Sequence, residues 1–258
     1  AITGRPFKMT KRVFWLVTLR GVFHILGMGA MFASLRLLPL ADAIAIVFVF
    51  PFILLFLGHF LLGEDVGRHR IIACLIGFSG TLLVIKPSFA EIGIAALLPL
   101  LVAVAFSLFM LITRSLTKDY DPVSLQAAGG IASTLILLAV WSVVGNDFAY
   151  DLAIIAPQSM TIAWLLVGVG VLGTAAHLFM TIALRFAPSA TLAPIQYLEI
   201  PVATFMGWLF FHELPDGLAA IGIMITILAG IFILISERQK TNSPPATCTS
   251  APATRTSD

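Results

Sequence analysis

Long apolar runs, separated by short breaks that contain charged residues, glycine or proline, account for most of the chain. Most of these runs are about 20 residues long, which is the length that a helix needs to cross the hydrocarbon core of a bilayer. Nothing alternates between apolar and polar residues over the roughly ten positions typical of a transmembrane β-strand. The pattern therefore predicts an all-α integral membrane protein, a bundle of eight transmembrane helices at about 14–35, 41–62, 71–85, 92–116, 123–145, 163–184, 190–211 and 218–236.

The second half of the chain repeats the pattern of the first half at an offset of 149 residues. This offset pairs Leu35 with Leu184, Arg36 with Arg185, Pro39 with Pro188 and Glu64 with Glu213, while Pro51 and Pro201 fall one residue out of step. The second copy contains five predicted spans, and only its last three have counterparts in the first copy. An odd number of spans inverts the second copy relative to the first, an arrangement common in secondary transporters.

The repeat predicts three parts of the chain: an incomplete first copy, a complete second copy and a C-terminal tail. Residues 1–90 hold the last three spans of the first repeat, and residues 91–238 hold the complete second repeat. We therefore expect an inverted-repeat bundle with eight helices of an expected ten, lacking two N-terminal spans; an intact eight-span protein is the alternative. Residues 239–258, rich in serine, threonine, proline and alanine, predict a disordered cytoplasmic tail.

Composition and charge support a membrane protein and orient it. Only 11% of the residues are charged, against about 25% in soluble domains. Threading the eight spans alternately places twelve lysines and arginines on one face and only Arg36 and Lys86 on the other. Loops rich in lysine and arginine stay in the cytoplasm, so we expect a bacterial-type inner membrane protein with both termini cytoplasmic. No basic patch interleaved with aromatic residues indicates a nucleic-acid partner, and the oligomeric state is not predicted.

The repeated segments carry a resemblance to a known family. The first copy reads SLRLLP, VFVFP and LLGE, followed by Gly77 and Gly80; the second reads ALRFAP, YLEIP and FFHELP, followed by Gly230. Their order and duplication resemble the EamA type of the drug/metabolite transporter superfamily. The resemblance implies ten spans in the complete protein, cytoplasmic termini and a substrate cavity between two inverted halves. The chain departs from the family pattern at His212, where glycine is usual, and in its missing first two spans.

The strongest candidate for chemistry is Glu199. It lies about ten residues, or roughly 14 Å, into its predicted span, close to the bilayer midplane. Pro194 and Pro201 flank it and break the helix, so Gln196, Tyr197 and Glu199 lie on the kind of discontinuous segment from which transporters build binding sites. We expect Glu199 to bind a cationic or amine part of the substrate, or to carry a proton. The alternative is a neutral glutamate hydrogen-bonded to a neighbouring helix. Pro51 predicts a similar break in the first copy.

Three further ionisable side chains lie inside predicted spans. Arg20 and His24 are four residues apart and therefore share one helical face, and His177 lies deep in the sixth span. We expect substrate or proton binding at these residues, with a snorkelling Arg20 and a packing His177 as the alternatives. The nearby glycines Gly168, Gly170 and Gly173 predict a close helix–helix approach.

The predicted function is secondary transport of a small organic metabolite by alternating access between the two repeats. No cofactor or metal is expected, and the sequence has no GxxxxGK[ST] loop for ATP, no HExxH metal motif and no GxSxG nucleophile motif. The same absences argue against an enzyme. A membrane-embedded enzyme and a non-transporting membrane subunit remain the alternatives. A coupled proton is a further candidate partner, while the substrate, the direction of transport and the coupling ion are not predicted.

Overall fold

A computed structural model describes residues 10–86, 93–144, 157–212 and 217–242, and these ranges contain helices and connecting turns but no strand. The α-helices are α1 (Lys11–Ser34), α2 (Leu40–Val47), α3 (Phe50–Leu62), α4 (Arg68–Ile85), α5 (Leu97–Thr117), α6 (Pro122–Val144), α7 (Met160–Phe186), α8 (Ser189–Ile195), α9 (Glu199–Phe211) and α10 (Gly217–Asn242). Two short 3₁₀ segments, Gly93–Ala96 and Gln196–Leu198, precede α5 and α9. The prediction of an all-α membrane protein is confirmed.

Polar caps start two helices earlier than hydropathy alone predicts. The Thr10 hydroxyl accepts a hydrogen bond from the backbone N–H of Val13 at 3.3 Å, and Ser159 caps α7 in the same way through Ile162 at 3.2 Å. Such caps satisfy N–H groups that a helix start leaves unpaired. At the other end of the chain, α10 continues to Asn242, past the predicted end at Ser236. Most of the predicted disordered tail lies outside the described residues.

Seven helical segments in the described ranges are long and apolar enough to cross a membrane: Lys11–Ser34, Leu40–Leu62, Arg68–Ile85, Gly93–Thr117, Pro122–Val143, Met160–Phe186 and Gly217–Arg238. They correspond to seven of the eight predicted spans. The remaining prediction, 190–211, falls on three consecutive helical pieces, α8, Gln196–Leu198 and α9. Polar residues and prolines at the junction of these pieces lower its hydropathy and interrupt its hydrogen-bond ladder.

The internal repeat is present in the helix boundaries. Helices α7, α8, α9 and α10 each begin 149 residues after α1, α2, α3 and α4, respectively. The two interrupted helices are therefore equivalent elements of the two copies: α2 and α3 in the first copy, and α8 and α9 in the second. The structural offset equals the offset read from the sequence.

Glycines bring α4 and α10 into backbone contact. A Cβ atom added to Gly80 would lie 2.8 Å from the carbonyl oxygen of Gly222, and one added to Gly222 would lie 2.5 Å from the carbonyl oxygen of Gly80. No side chain fits at either position, which explains the glycines. The expectation for Gly168, Gly170 and Gly173 is wrong among the described residues, because a Cβ at any of the three would meet no atom within 4 Å.

The main core lies where the first copy meets α5 and α8. Most of its buried side chains come from α3, α4, α5, α8 and the segment after α8, among them Leu54, Cys74, Met110, Ala193 and Tyr197. A smaller core joins the cytoplasm-predicted ends of α1, α5 and α6. Helix α7 contributes little to either core, since only 6% of its most apolar stretch is buried within the described chain.

Candidate substrate site

Two interrupted helices meet in the main core of the described chain. The first interruption lies at Phe48 and Val49, just before Pro51, which has no N–H to donate to the helix ladder. The second contains Pro194 inside α8, the 3₁₀ segment and Pro201 in the first turn of α9. The helix axis is therefore broken at each place where a span proline predicted it.

Tyr197 joins the two interruptions. Its side chain is fully buried, and its hydroxyl donates a hydrogen bond to the carbonyl oxygen of Phe48 at 3.1 Å. The two rings stack with their centroids 5.9 Å apart. Phe48 and Tyr197 are separated by 149 residues and are thus equivalent positions of the two copies. The Tyr197 hydroxyl is occupied by a contact between the halves.

The second interruption is held between two glycines. A Cβ atom on Gly77 of α4 would lie 2.5 Å from the ring of Tyr197, and one on Gly230 of α10 would lie 2.6 Å from the side chain of Leu198. The 3₁₀ segment therefore fits against α4 and α10 only because both helices lack a side chain there. Residues Tyr197 and Leu198 are fixed in place on either side.

Glu199 points away from this packing. Its side chain is exposed, and no hydrogen bond or ion pair joins it to another residue in the described parts of the chain. Neighbouring Gln196 is half-buried and directs its Nε2 towards the sulfur of Met110 on α5, 3.6 Å away. Because a carboxylate facing lipid is costly, an unpaired Glu199 in a span indicates a cavity or a further partner. The alternative of a glutamate bonded to a neighbouring helix finds no support among the described residues.

Arg20 is buried between α1, α5 and α6, with 3% of its surface exposed. Its Nε donates to the Thr113 hydroxyl and its NH2 to the Gln126 side-chain oxygen, each at 2.8 Å. Its guanidinium carbon also lies 4.5 Å from the centre of the Phe109 ring. The alternative of a snorkelling Arg20 is therefore wrong, and the side chain turns into the bundle.

His24 and His177 come together beside Arg20. Their rings meet edge to face with centroids 4.7 Å apart, and both rings are half-buried. Both also contact Phe109, at 5.1 Å from His24 and 5.5 Å from His177. Residues from α1, α5 and α7, which are distant in sequence, therefore form one cluster around Phe109.

A carboxylate network connects the halves at one end of the bundle. The Glu64 side chain follows α3 and accepts hydrogen bonds at the start of α8, from the Ser189 N–H at 3.1 Å, the Ser189 hydroxyl at 2.6 Å and the Ala190 N–H at 2.9 Å. Arg114 Nε lies 3.4 Å from Glu64, and its NH1 donates to the Leu184 carbonyl at the end of α7. One carboxylate thus fixes the start of α8 relative to α3 and α5.

A second ionic network lies at the same end. Arg70 of α4 donates to Glu237 of α10 through Nε and NH2, each at 2.9 Å, and through NH2 to the Thr191 hydroxyl at 2.8 Å. His69 Nε2 lies 2.9 Å from the same carboxylate. The two networks join α3, α4, α8 and α10, and they lie on the face that the loop charges assign to the cytoplasm.

The predicted residues therefore separate into two groups. Arg20, His24 and His177 form one cluster around Phe109, whereas Gln196, Tyr197 and Glu199 lie on the second interruption. Among the described residues no hydrogen bond or ring contact joins the two groups. Sequence reasoning missed the centre of the cluster, Phe109, and the two partners of Arg20. Two apolar surface grooves, one along α3 and one between α1 and α6, include none of the predicted binding residues.

Known proteins match nearly the whole chain. The EamA-like transporter family matches residues 1–86 and 93–236. A riboflavin transporter of Rhizobium johnstonii is 32% identical over 230 residues, which cover 89% of this chain and 73% of that protein. An S-adenosylmethionine uptake transporter of Rickettsia prowazekii is 26% identical, covering 93% and 76% of the two chains. A pseudopaline exporter of Pseudomonas aeruginosa is 26% identical, covering 84% and 73%.

A solved crystal structure has a similar fold. The two structures superpose with a TM-score of 0.72, over 91% of this chain and 81% of the other, at 19% sequence identity. At this identity the likeness supports the arrangement of the helices.

Proposed function

We propose that this chain, which belongs to the EamA-like transporter family, moves its substrate by alternating access of two inverted halves. As an EamA-type member of the drug/metabolite transporter superfamily, it is a secondary transporter of the bacterial inner membrane with a small-molecule substrate. The relatives are named for riboflavin, S-adenosylmethionine and pseudopaline, and for uptake as well as export. The substrate proposed here is accordingly a small organic metabolite, with no direction assigned.

The meeting of two interrupted helices is the observation that carries this proposal. Discontinuous helices in equivalent positions of two repeats form the central sites of many secondary transporters. Here the equivalent residues Phe48 and Tyr197 touch. Rocking of one half against the other about this contact would expose Gln196 and Glu199, beside the second interruption, to each side of the membrane in turn.

The ionic networks support one conformation of this cycle. Glu64 binds the start of α8, and Arg70 binds Glu237 of α10, so both networks cross between the copies at one face. We assign this face to the cytoplasm because the predicted loops there carry most of the lysines and arginines. In the proposed cycle this conformation is the one closed towards the cytoplasm, and opening that side requires both networks to break.

Glu199 is the proposed coupling or substrate-binding group. Its carboxylate is unpaired among the described residues and lies at the start of α9, directly after the interruption. A glutamate in this position binds an amine or another cationic group, or carries a proton between the two states. The family match and the relatives named as transporters favour transport rather than catalysis.

Flux into proteoliposomes tests the proposed transport. The purified chain is reconstituted, and uptake and efflux of radiolabelled riboflavin and S-adenosylmethionine, named for two relatives, are measured against empty liposomes, followed by a wider set of metabolites. Saturable, protein-dependent flux of at least one compound is expected. If flux does not exceed that of empty liposomes for any compound in either direction, the proposal is wrong.

Replacement of Glu199 tests its role within a transporting protein. Glu199→Gln is expected to lower flux about tenfold, the equivalent of one charged hydrogen bond, and to flatten its dependence on pH. Asp65→Asn is the control, because Asp65 is an exposed carboxylate in the turn before α4. Unchanged flux and unchanged pH dependence in Glu199→Gln would exclude both roles for this residue.

A further inference from the structure

The two clustered histidines have hydrogen-bonding capacity that the described chain does not use. The ring nitrogens of His24 and His177 form no hydrogen bond to a described residue. Neither histidine has a ring nitrogen that is both fully buried and without a hydrogen bond. A neutral imidazole offers one donor and one acceptor. Inside a membrane, polar atoms without partners cost free energy, so this pair requires a hydrogen-bonding ligand or water.

An aromatic wall stands behind the two imidazoles. Phe106 and Phe109 of α5 stack nearly parallel, with an angle of 13° between their planes and centroids 5.9 Å apart. Phe109 is buried, whereas Phe106 is only half-buried. Phe106, His24 and His177 are half-buried, and all three rings pack on the buried Phe109 ring. Flat rings prefer to pack against such exposed aromatic faces and edges.

A fixed positive charge lies beneath the wall. The Arg20 guanidinium packs on the Phe109 ring and is held by Thr113 and Gln126. Moving Arg20 away from the Phe109 ring would cost these two hydrogen bonds. The field of this buried charge disfavours a cationic ligand and favours a neutral or anionic one.

A metal ion does not fit this cluster. Two imidazoles supply only two ligands, and the described residues contain no group of three or more histidine, cysteine, aspartate or glutamate side chains placed to hold a metal. Structural and catalytic zinc sites use three or four protein ligands. The site therefore calls for an organic ligand with hydrogen-bonding groups along a flat edge.

From this geometry we infer that His24, His177 and Phe106 bind a planar, neutral or anionic heteroaromatic ring of the substrate. The ring packs on the aromatic wall, and the two imidazoles exchange hydrogen bonds with the donors and acceptors on its edge. This inference rests on the proposed function, because it specifies the class of substrate that the carrier takes. It concerns the cluster of α1, α5 and α7 and does not depend on Glu199.

Lumichrome provides a direct probe of this site. It is a neutral, planar, fluorescent ring system with N–H donors and carbonyl acceptors along one edge. Its binding to the full chain in lipid nanodiscs is followed by fluorescence anisotropy. His24→Phe and His177→Phe keep an aromatic ring but remove the nitrogens, and each is expected to weaken binding about tenfold. Phe106→Leu, which removes the stacking surface, is expected to weaken binding to a similar extent.

Matched variants outside the cluster serve as controls. His59→Phe and Phe56→Leu make the same chemical changes on α3, along the apolar surface groove, and are expected to leave lumichrome binding unchanged. Circular dichroism and size-exclusion chromatography verify that each variant keeps its fold. If His24→Phe does not fold, His24→Gln, which retains hydrogen-bonding groups, takes its place.

The outcomes distinguish this inference from the proposed function. The inference would be overturned if the unmodified chain showed no saturable lumichrome binding, or if both histidine variants bound lumichrome as tightly as the unmodified chain. It would also be overturned if the control variants lost as much binding as the cluster variants. Metabolite flux in proteoliposomes would then still stand as evidence of transport. Conversely, lumichrome binding that depends on His24 and His177, without flux of any metabolite, would support the site and contradict the transport mechanism.

Discussion

At the scale of single residues, Arg20 shows how a buried charge is made tolerable in a membrane protein. Its guanidinium forms hydrogen bonds to two side chains and packs on an aromatic ring. It also lies directly against Gly129 of α6, where any side chain would overlap its NH1. The absence of a Cβ at Gly129 is therefore part of the arginine site.

Gly129→Ala is expected to destabilise the protein by about 1–3 kcal/mol, because the added methyl displaces a guanidinium that two hydrogen bonds hold in place. Thermal unfolding in detergent, followed by circular dichroism, measures this change. Gly130→Ala is the matched control: a Cβ there meets no atom within 4 Å, so stability is expected to stay the same or to rise by up to about 1 kcal/mol through helix propensity. Equal effects of the two variants would show that Arg20 does not need Gly129.

Glu64 shows the same principle in a carboxylate. Glu64→Ala removes the acceptor for two backbone N–H groups and one hydroxyl at the start of α8. The expected destabilisation is about 1–3 kcal/mol, since these donors are part-buried and lose their partner. The adjacent Asp65→Ala removes an exposed carboxylate and is expected to change the midpoint of thermal unfolding little. If both variants unfold at the same temperature as the unmodified chain, Glu64 does not hold α8.

At the scale of helices, the contact between α4 and α10 depends on backbone proximity. Gly80→Ala places a methyl group 2.8 Å from the carbonyl oxygen of Gly222 and 2.9 Å from Thr226. Backbone cannot yield as a side-chain end can, so we expect a loss of about 1–3 kcal/mol and a lower unfolding temperature. Gly168→Ala in α7, which meets no atom within 4 Å, provides the comparison. A Gly80→Ala variant as stable as Gly168→Ala would mean that the two helices separate without cost.

The elements were largely predictable from local sequence, because hydropathy and proline act over a few residues. Long apolar runs predicted the spans, and Pro51, Pro194 and Pro201 marked the places where helices are interrupted. The helix starts were displaced where Thr10 and Ser159 provide caps. The interrupted 190–211 segment is harder to identify as a span, since the polar residues that make it a candidate binding segment also lower its hydropathy.

The candidate site was only partly predictable, because its contacts join distant parts of the chain. The partners of Arg20 lie 93 and 106 residues away, and no local pattern specifies them. Spacing placed Arg20 and His24 on one face, but the approach of His177 depends on how α7 packs on α5. The three-residue spacing of Phe106 and Phe109 in α5 was an available signal for an aromatic wall.

At the scale of the whole molecule, both ends of the chain are expected on the cytoplasmic side. Membrane-impermeant maleimide is expected to label the native Cys248 in inside-out vesicles and to leave it unlabelled in spheroplasts, while Cys74 stays protected because its surface is fully buried. Lys11→Cys in a Cys248→Ser background is expected to give the same pattern. Labelling of the two positions from opposite faces would contradict the topology and the alternate threading of spans from which it follows.

The contact between Phe48 and Tyr197 has a consequence for motion. Equivalent residues of two repeats touch each other only next to the axis that relates the repeats. In the proposed transport cycle, points on such an axis stay where they are when the halves exchange shapes, so we expect this pair to act as the pivot. Spectroscopic labels at this pair are expected to record the same separation in both end states. Labels at the far ends of α3 and α9 are expected to record a change in separation.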